Sequence, residues 1–94
     1  MAVQKKKKVD RAALSSSFMR IPRMKVEVAR SLIDAGVSEI FQLEGRSPET
    51  LFAELKKKRD DVPDEHLAYF RMAVYFAENQ PPDRKMMHPS CWMD

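Results

Sequence analysis

Between residues 64 and 79 the chain reads DEHLAYFRMAVYFAEN, and this stretch limits the possible folds more than any other. Leu67, Phe70, Val74 and Ala77 recur at helical spacing. Tyr69, Met72, Tyr75 and Phe76 widen the apolar stripe until little polar face remains. A helix apolar on so many sides must be covered by its neighbours, so the spacing predicts a helix over 64–79 inside a bundle. Pro81-Pro82 stop it. No alternating apolar-polar run is long enough for a convincing strand, and the expected class is all-α.

Four further helices fit the remaining pattern. Asp10 can cap a helix over 11–20 with Leu14, Phe18 and Ile21 on one face. Ser15, Ser16 and Ser17 are mediocre helix formers, so that helix depends on packing. Pro22 pushes Ile21 out of the helical region. A second helix fits 26–35, with Val28, Leu32 and Ala35 inward, Ala29 and Ile33 beside them, and Gly36 at the left-handed stop. Ser38 is the expected cap of a short helix over 38–43 that buries Ile40 and Leu43 and sets Phe41 at its edge. Ser47-Pro48-Glu49 is the clearest helix start, combining a capping hydroxyl, a proline that loses no bond and an acid at the positive helix end. Leu51, Phe52 and Leu55 then face inward. Residues 56–59, LysLysLysArg, read as cations favoured at a helix C-terminus.

With 94 residues the chain is expected to form one small domain over 10–94, preceded by a flexible basic arm, 1–9, and ending in a tail from about residue 80. The tail, MMHPSCWMD, can dock Met86, Met87 and Trp92 on the bundle. The formal charge of +3 is unevenly placed. Residues 1–47 hold ten Lys/Arg against five Asp/Glu, and residues 48–94 hold seven against nine. Lys5, Lys6, Lys7 and Lys8 supply much of the surplus and make a basic arm suited to an acidic partner. Cys91 is the single cysteine, which excludes an intrachain disulfide and fits a reducing, cytoplasmic setting. No 18-residue apolar span occurs, and the N-terminal stretch is a poor secretory signal, so no membrane association is expected.

The order helix, IPRMK turn, helix, GV turn, short helix, SPETL helix resembles a helix-hairpin-helix domain, a small SAM-like bundle of about five helices. Ile21, Pro22, Met24 and Ala29 match the hairpin pattern, while Arg23 and Lys25 stand where that family normally has glycine. GVSEIFQLEGRSPETLFAEL and LAYFRMAVYFAE, together with the Trp92-containing end, resemble the pathogenicity-locus (Cdd1-like) group, sometimes labelled mitomycin resistance proteins. This resemblance spans roughly residues 11–94. It implies sequence-independent binding of the DNA backbone at the hairpin, where glycines let amides approach phosphate oxygens and the following helix adds free N–H donors.

A left-handed conformation at Arg23 or Lys25 costs roughly 1–2 kcal/mol, so the turn is expected to differ from the glycine form. Longer side chains there either replace amide contacts with charge contacts or hold the DNA away. The contact set implied is Arg20, Arg23, Met24, Lys25, Val26 and Arg30, with Lys5 to Lys8 as an auxiliary arm. These residues would position a phosphate chain without reading bases.

No enzyme chemistry is expected. His66 and His88 with one cysteine do not make a zinc cluster, and Asp64, Glu65 and His66 are adjacent rather than spaced as helix ligands. Without the hairpin glycines no monovalent cation is predicted, so neither metal nor cofactor is expected. Arg71 interrupts the last helix's apolar flank, where its stem can cover the core while its head pairs with an acid or a helix C-terminus. The alternative to DNA binding is a helical protein-interaction or homodimerisation module. It would use Met86, Met87, Trp92 and the Tyr69/Tyr75 flank.

Overall fold

The computed structural model describes residues 9–93. Within them the chain is all-helical: α1 (Arg11–Leu14), α2 (Val26–Asp34), α3 (Pro48–Lys58) and α4 (His66–Glu78), with 3-10 turns at Ser17–Arg20, Ile40–Leu43, Arg84–Met86 and Pro89–Trp92. The basic arm lies outside the described residues except for Val9. No helix among the described residues is long and apolar enough to cross a membrane.

The expected first helix, 11–20, is broken in two. Asp10 caps α1 by accepting from the Ala13 N–H at 3.1 Å. The serine hydroxyls then donate back to main-chain carbonyls, Ser15 to Arg11 and Ser16 to Ala13. Such bonds compete with the helix ladder, and the chain re-enters as the 3-10 turn Ser17–Arg20. Phe18 and Ile21 are fully buried as expected, but Leu14 is 48% exposed and Ala13 takes the inward place.

Helix α2 ends at Gly36 as the sequence predicts. Gly36, at φ 101°, donates to the Ile33 carbonyl while Val37 reaches back to Leu32. These paired bonds close the last turn, and Leu32 and Val37 are both buried beneath it. The 38–43 segment is a 3-10 turn whose entry is organised by Gln42 rather than by Ser38. The Gln42 side-chain oxygen accepts from the Ser38 and Glu39 N–H groups. Leu43 is buried, Ile40 half-buried, and Phe41 is 66% exposed instead of packing at the edge.

Helix α3 starts as predicted, with the Ser47 hydroxyl accepting from Thr50 N–H. Its C-terminal cations are held locally. Lys56 donates to the Val62 carbonyl, Lys58 to the Asp34 carbonyl at the end of α2, and Arg59 to the Asp34 carboxylate at 2.6 Å. Helix α4 packs against α2, α3, the Ile40–Leu43 turn and the Pro89–Trp92 turn. The Phe70 ring meets Phe52 of α3 edge-on, with centroids 5.7 Å apart and planes at 89°. Side chains of Asn79 and Gln80 donate to the Tyr75 and Phe76 carbonyls, satisfying acceptors that the helix end leaves free.

The tail folds back on α4. Met87 is buried, Trp92 is half-buried with its ring 5.4 Å from Tyr75, and its indole N–H donates to the Met86 carbonyl at 2.8 Å. Arg71 fills the structural role expected of it, donating to Glu49 at the start of α3 and to the Trp92 carbonyl.

Candidate functional site

The segment IPRMKVEVA forms a tight turn that leads into α2. Ile21 is extended and fully buried, and the Met24 N–H donates to the Ile21 carbonyl at 3.1 Å. Proline at the second turn position and a positive φ at the third make this a type II turn. Arg23 supplies that positive φ, 66°, and so adopts the conformation usually left to glycine. Lys25, at the other glycine position, is ordinary extended backbone at φ −107° and ψ 150°. The strain expected of two substitutions therefore falls on one residue.

This turn positions the start of α2. Val28 and Ala29 N–H groups donate to the Lys25 carbonyl, whereas the amides of Lys25, Val26 and Glu27 have no hydrogen-bond partner among the described residues. Met24, an expected contact, is buried, and its amide is already taken by the turn. Arg20 and Arg23 are exposed, and no ion pair holds either among the described residues. The Lys25 ammonium lies 5.5 Å from the centre of the Tyr69 ring, a cation–π contact that leans it toward α4.

Arg30 is placed differently from the expectation. It donates to Asp10 through two nitrogens, at 2.7 and 2.8 Å, and to Asp34 at 3.2 Å. This clasp ties the start of α1 to α2, so Arg30 is a structural cation here. The paired guanidinium, with help from the Ala13 N–H, holds the Asp10 carboxyl at about 2. Because that value is depressed, the clasp is complete above about pH 4, the unfolded carboxylate range, and is lost as pH falls through about 2.

Beside the start of α2 lies a cleft of about 820 Å³, bounded by Val9, Leu14, Val26, Pro63 and the 59–66 connector. His66 lines it and belongs to a pair that sequence reasoning missed. The Ser31 hydroxyl and His66 Nδ1 are 2.9 Å apart, both buried, and join α2 to the start of α4. The signal for His66 was its place four residues before Phe70, on the buried stripe of α4. Burial is the first cause that holds the imidazole below the usual histidine range.

Because Arg23 carries the turn's positive φ, Arg23→Gly should raise the unfolding free energy by about 0.5–1 kcal/mol. Relief of left-handed strain outweighs the extra unfolded-state freedom of glycine. Urea denaturation checks this, and a loss of stability would mean that the arginine side chain makes a compensating contact.

Residues 11–90 match the family model described as Cdd1, pathogenicity locus. No curated protein and no solved structure matches the chain.

Proposed function

The chain belongs to the Cdd1 pathogenicity-locus family, and from that premise we propose that it binds the DNA backbone without sequence preference through a helix-hairpin-helix turn at residues 21–29. The observation that supports this reading most is the type II turn at Arg23. It delivers three unpaired amides, those of Lys25, Val26 and Glu27, at the positive end of α2, with Lys25, Arg23 and Arg20 around them. A helix start with free N–H groups suits a phosphate oxygen through both hydrogen bonding and the helix dipole. The side chains that would carry the protein-interaction alternative are largely engaged in packing. Tyr69 and Met87 are buried, while the Tyr75 and Trp92 rings pack against each other at a tilt of 41°.

Titration into labelled single- and double-stranded DNA, followed by fluorescence anisotropy at several salt concentrations, tests the proposal. Micromolar-range binding that weakens steeply with salt and varies little among sequences is the expected result. In an Arg23→Ala/Lys25→Ala variant, affinity should fall about tenfold at low salt. The slope of log affinity against log salt should shrink by roughly 2. A chain beginning at Val9 separates the contribution of Lys5 to Lys8. If that deletion alone abolishes binding, the arm rather than the hairpin is the contact. No binding at low salt removes the DNA reading.

A further inference from the structure

The cleft beside α2 contains a polar group that the hairpin reading does not use. His66 is only 5% exposed. Its Nδ1 faces the Ser31 hydroxyl, which has no other hydrogen-bond partner among the described residues. In the tautomer that leaves neither proton idle, the hydroxyl donates to Nδ1 and the ring's own proton sits on Nε2. Nε2 has no protein partner, yet among the described residues no buried side-chain nitrogen or oxygen lacks one, so Nε2 keeps access to solvent. The cleft His66 lines is shared with Lys25, Val26 and Glu27, whose amides are free. His66 thus brings a second polar residue, from α4, to the lining of the same cleft.

The charges around it decide what protonation would do. Arg30 and Arg59 pair with three carboxylates, Asp10, Asp34 and Asp61, so this network keeps one negative charge over. Lys25 then faces Glu27 and Glu65, neither of which forms an ion pair among the described residues. With a neutral imidazole this second group adds another negative charge, and the two together oppose an incoming phosphate. A protonated imidazole halves that opposition and puts a cation in the wall.

We infer that His66 is a phosphate contact whose protonation strengthens the hairpin's hold on DNA, an inference that rests on the DNA-backbone reading above. The neutral ring donates one hydrogen bond from Nε2, and the protonated ring adds charge to the same contact. On protonation Nδ1 becomes a donor and the Ser31 hydroxyl turns to accept, so the α2–α4 joint is kept. Burial and the cations Arg59 and Lys25 oppose protonation of the free protein, while Glu65 and Glu27 favour it. A bound phosphate adds to the favouring side. A unit charge at about 5 Å in a solvent-open cleft changes affinity roughly three- to tenfold.

Nitrogen-detected NMR of the imidazoles from pH 4.5 to 8, with and without a short duplex, tests this directly. The Nε2–H tautomer is expected in the free protein, with DNA moving the His66 midpoint upward by about half a pH unit or more, as linkage requires. In parallel, anisotropy at pH 5 and 7.5 should show acid-strengthened binding in wild type and in His88→Gln. The enhancement should be absent from His66→Gln, whose amide cannot take up the proton. Binding without any displacement of the His66 resonances overturns the inference and leaves the hairpin reading standing. So does an acid enhancement that survives His66→Gln. If neither the Lys25–Glu27 amides nor His66 respond to DNA, both fall together.

Discussion

Phe70→Ala is expected to lower the unfolding free energy by about 3–5 kcal/mol, the usual cost of emptying a phenylalanine site in a packed core. Phe70 is fully buried at the middle of α4, the helix that touches α2, α3, the Ile40–Leu43 turn and the C-terminal turn. Its ring also loses the edge-on contact with Phe52, worth about 0.5–1.5 kcal/mol beyond simple burial. Small domains have only about 5–15 kcal/mol in total, so the variant sits near the limit of folding. A fall in Tm of about 12 °C or more is expected for a chain of this length. Phe70→Leu keeps most of the volume and should cost about 1–2 kcal/mol. Circular dichroism melts of the three proteins provide the check. A loss below about 1 kcal/mol for Phe70→Ala would mean that α4 is not the centre of the core.

Arg71→Ala should cost about 2 kcal/mol and act mainly on the tail. The side chain joins two segments distant in sequence, donating to Glu49 at 2.9 Å and to the Trp92 carbonyl at 2.6 Å. The Glu49 pair is half open to water and contributes little by itself. The bond to a main-chain carbonyl from a mostly buried guanidinium carries more, since hydrogen bonds to charged groups are worth about 1.5–3 kcal/mol. Trp92 is the single tryptophan, which makes it a local reporter. Its emission should move to longer wavelength and become easier to quench in the variant, while the helical signal in the far ultraviolet persists. Arg71→Lys keeps the charge but cannot fork to both acceptors, and should restore part of the shift. Unchanged tryptophan emission in Arg71→Ala would show that the tail is held by packing alone.

Much of the fold is legible because local physics and global packing agree along most of the chain. The Ser47-Pro48-Glu49 start, the Gly36 stop and the apolar stripe of α4 each depend on residues within one or two turns of one another. Where they disagreed, the residues themselves show why. The Ser15 and Ser16 hydroxyls donate to the Arg11 and Ala13 carbonyls, so the first predicted helix broke. Gln42 supplied the acceptor assigned to Ser38, because its longer side chain folds back over two amides.

The candidate site was legible only in part. Ile21, Pro22 and the helix start after Lys25 are local features, and the presence of a turn follows from them. The partners of individual charges do not. Arg30 looked available beside the turn, yet Asp10 closes on it from twenty residues away. His66 looked like an ordinary first-turn residue until Ser31, thirty-five positions earlier, was found against its ring.

By itself the sequence determined the helical class, the Gly36 stop and the Ser47-Pro48 start, and the centrality of the 64–79 segment, since these depend on neighbours along the chain. Only the tertiary structure decided that Arg23 bears the left-handed turn conformation while Lys25 does not. It also decided that Arg30 is tied up in a clasp and that His66 shares a cleft with the free amides of α2. Those outcomes depend on which distant groups meet and how much water remains between them, and neither quantity is a local property of the chain.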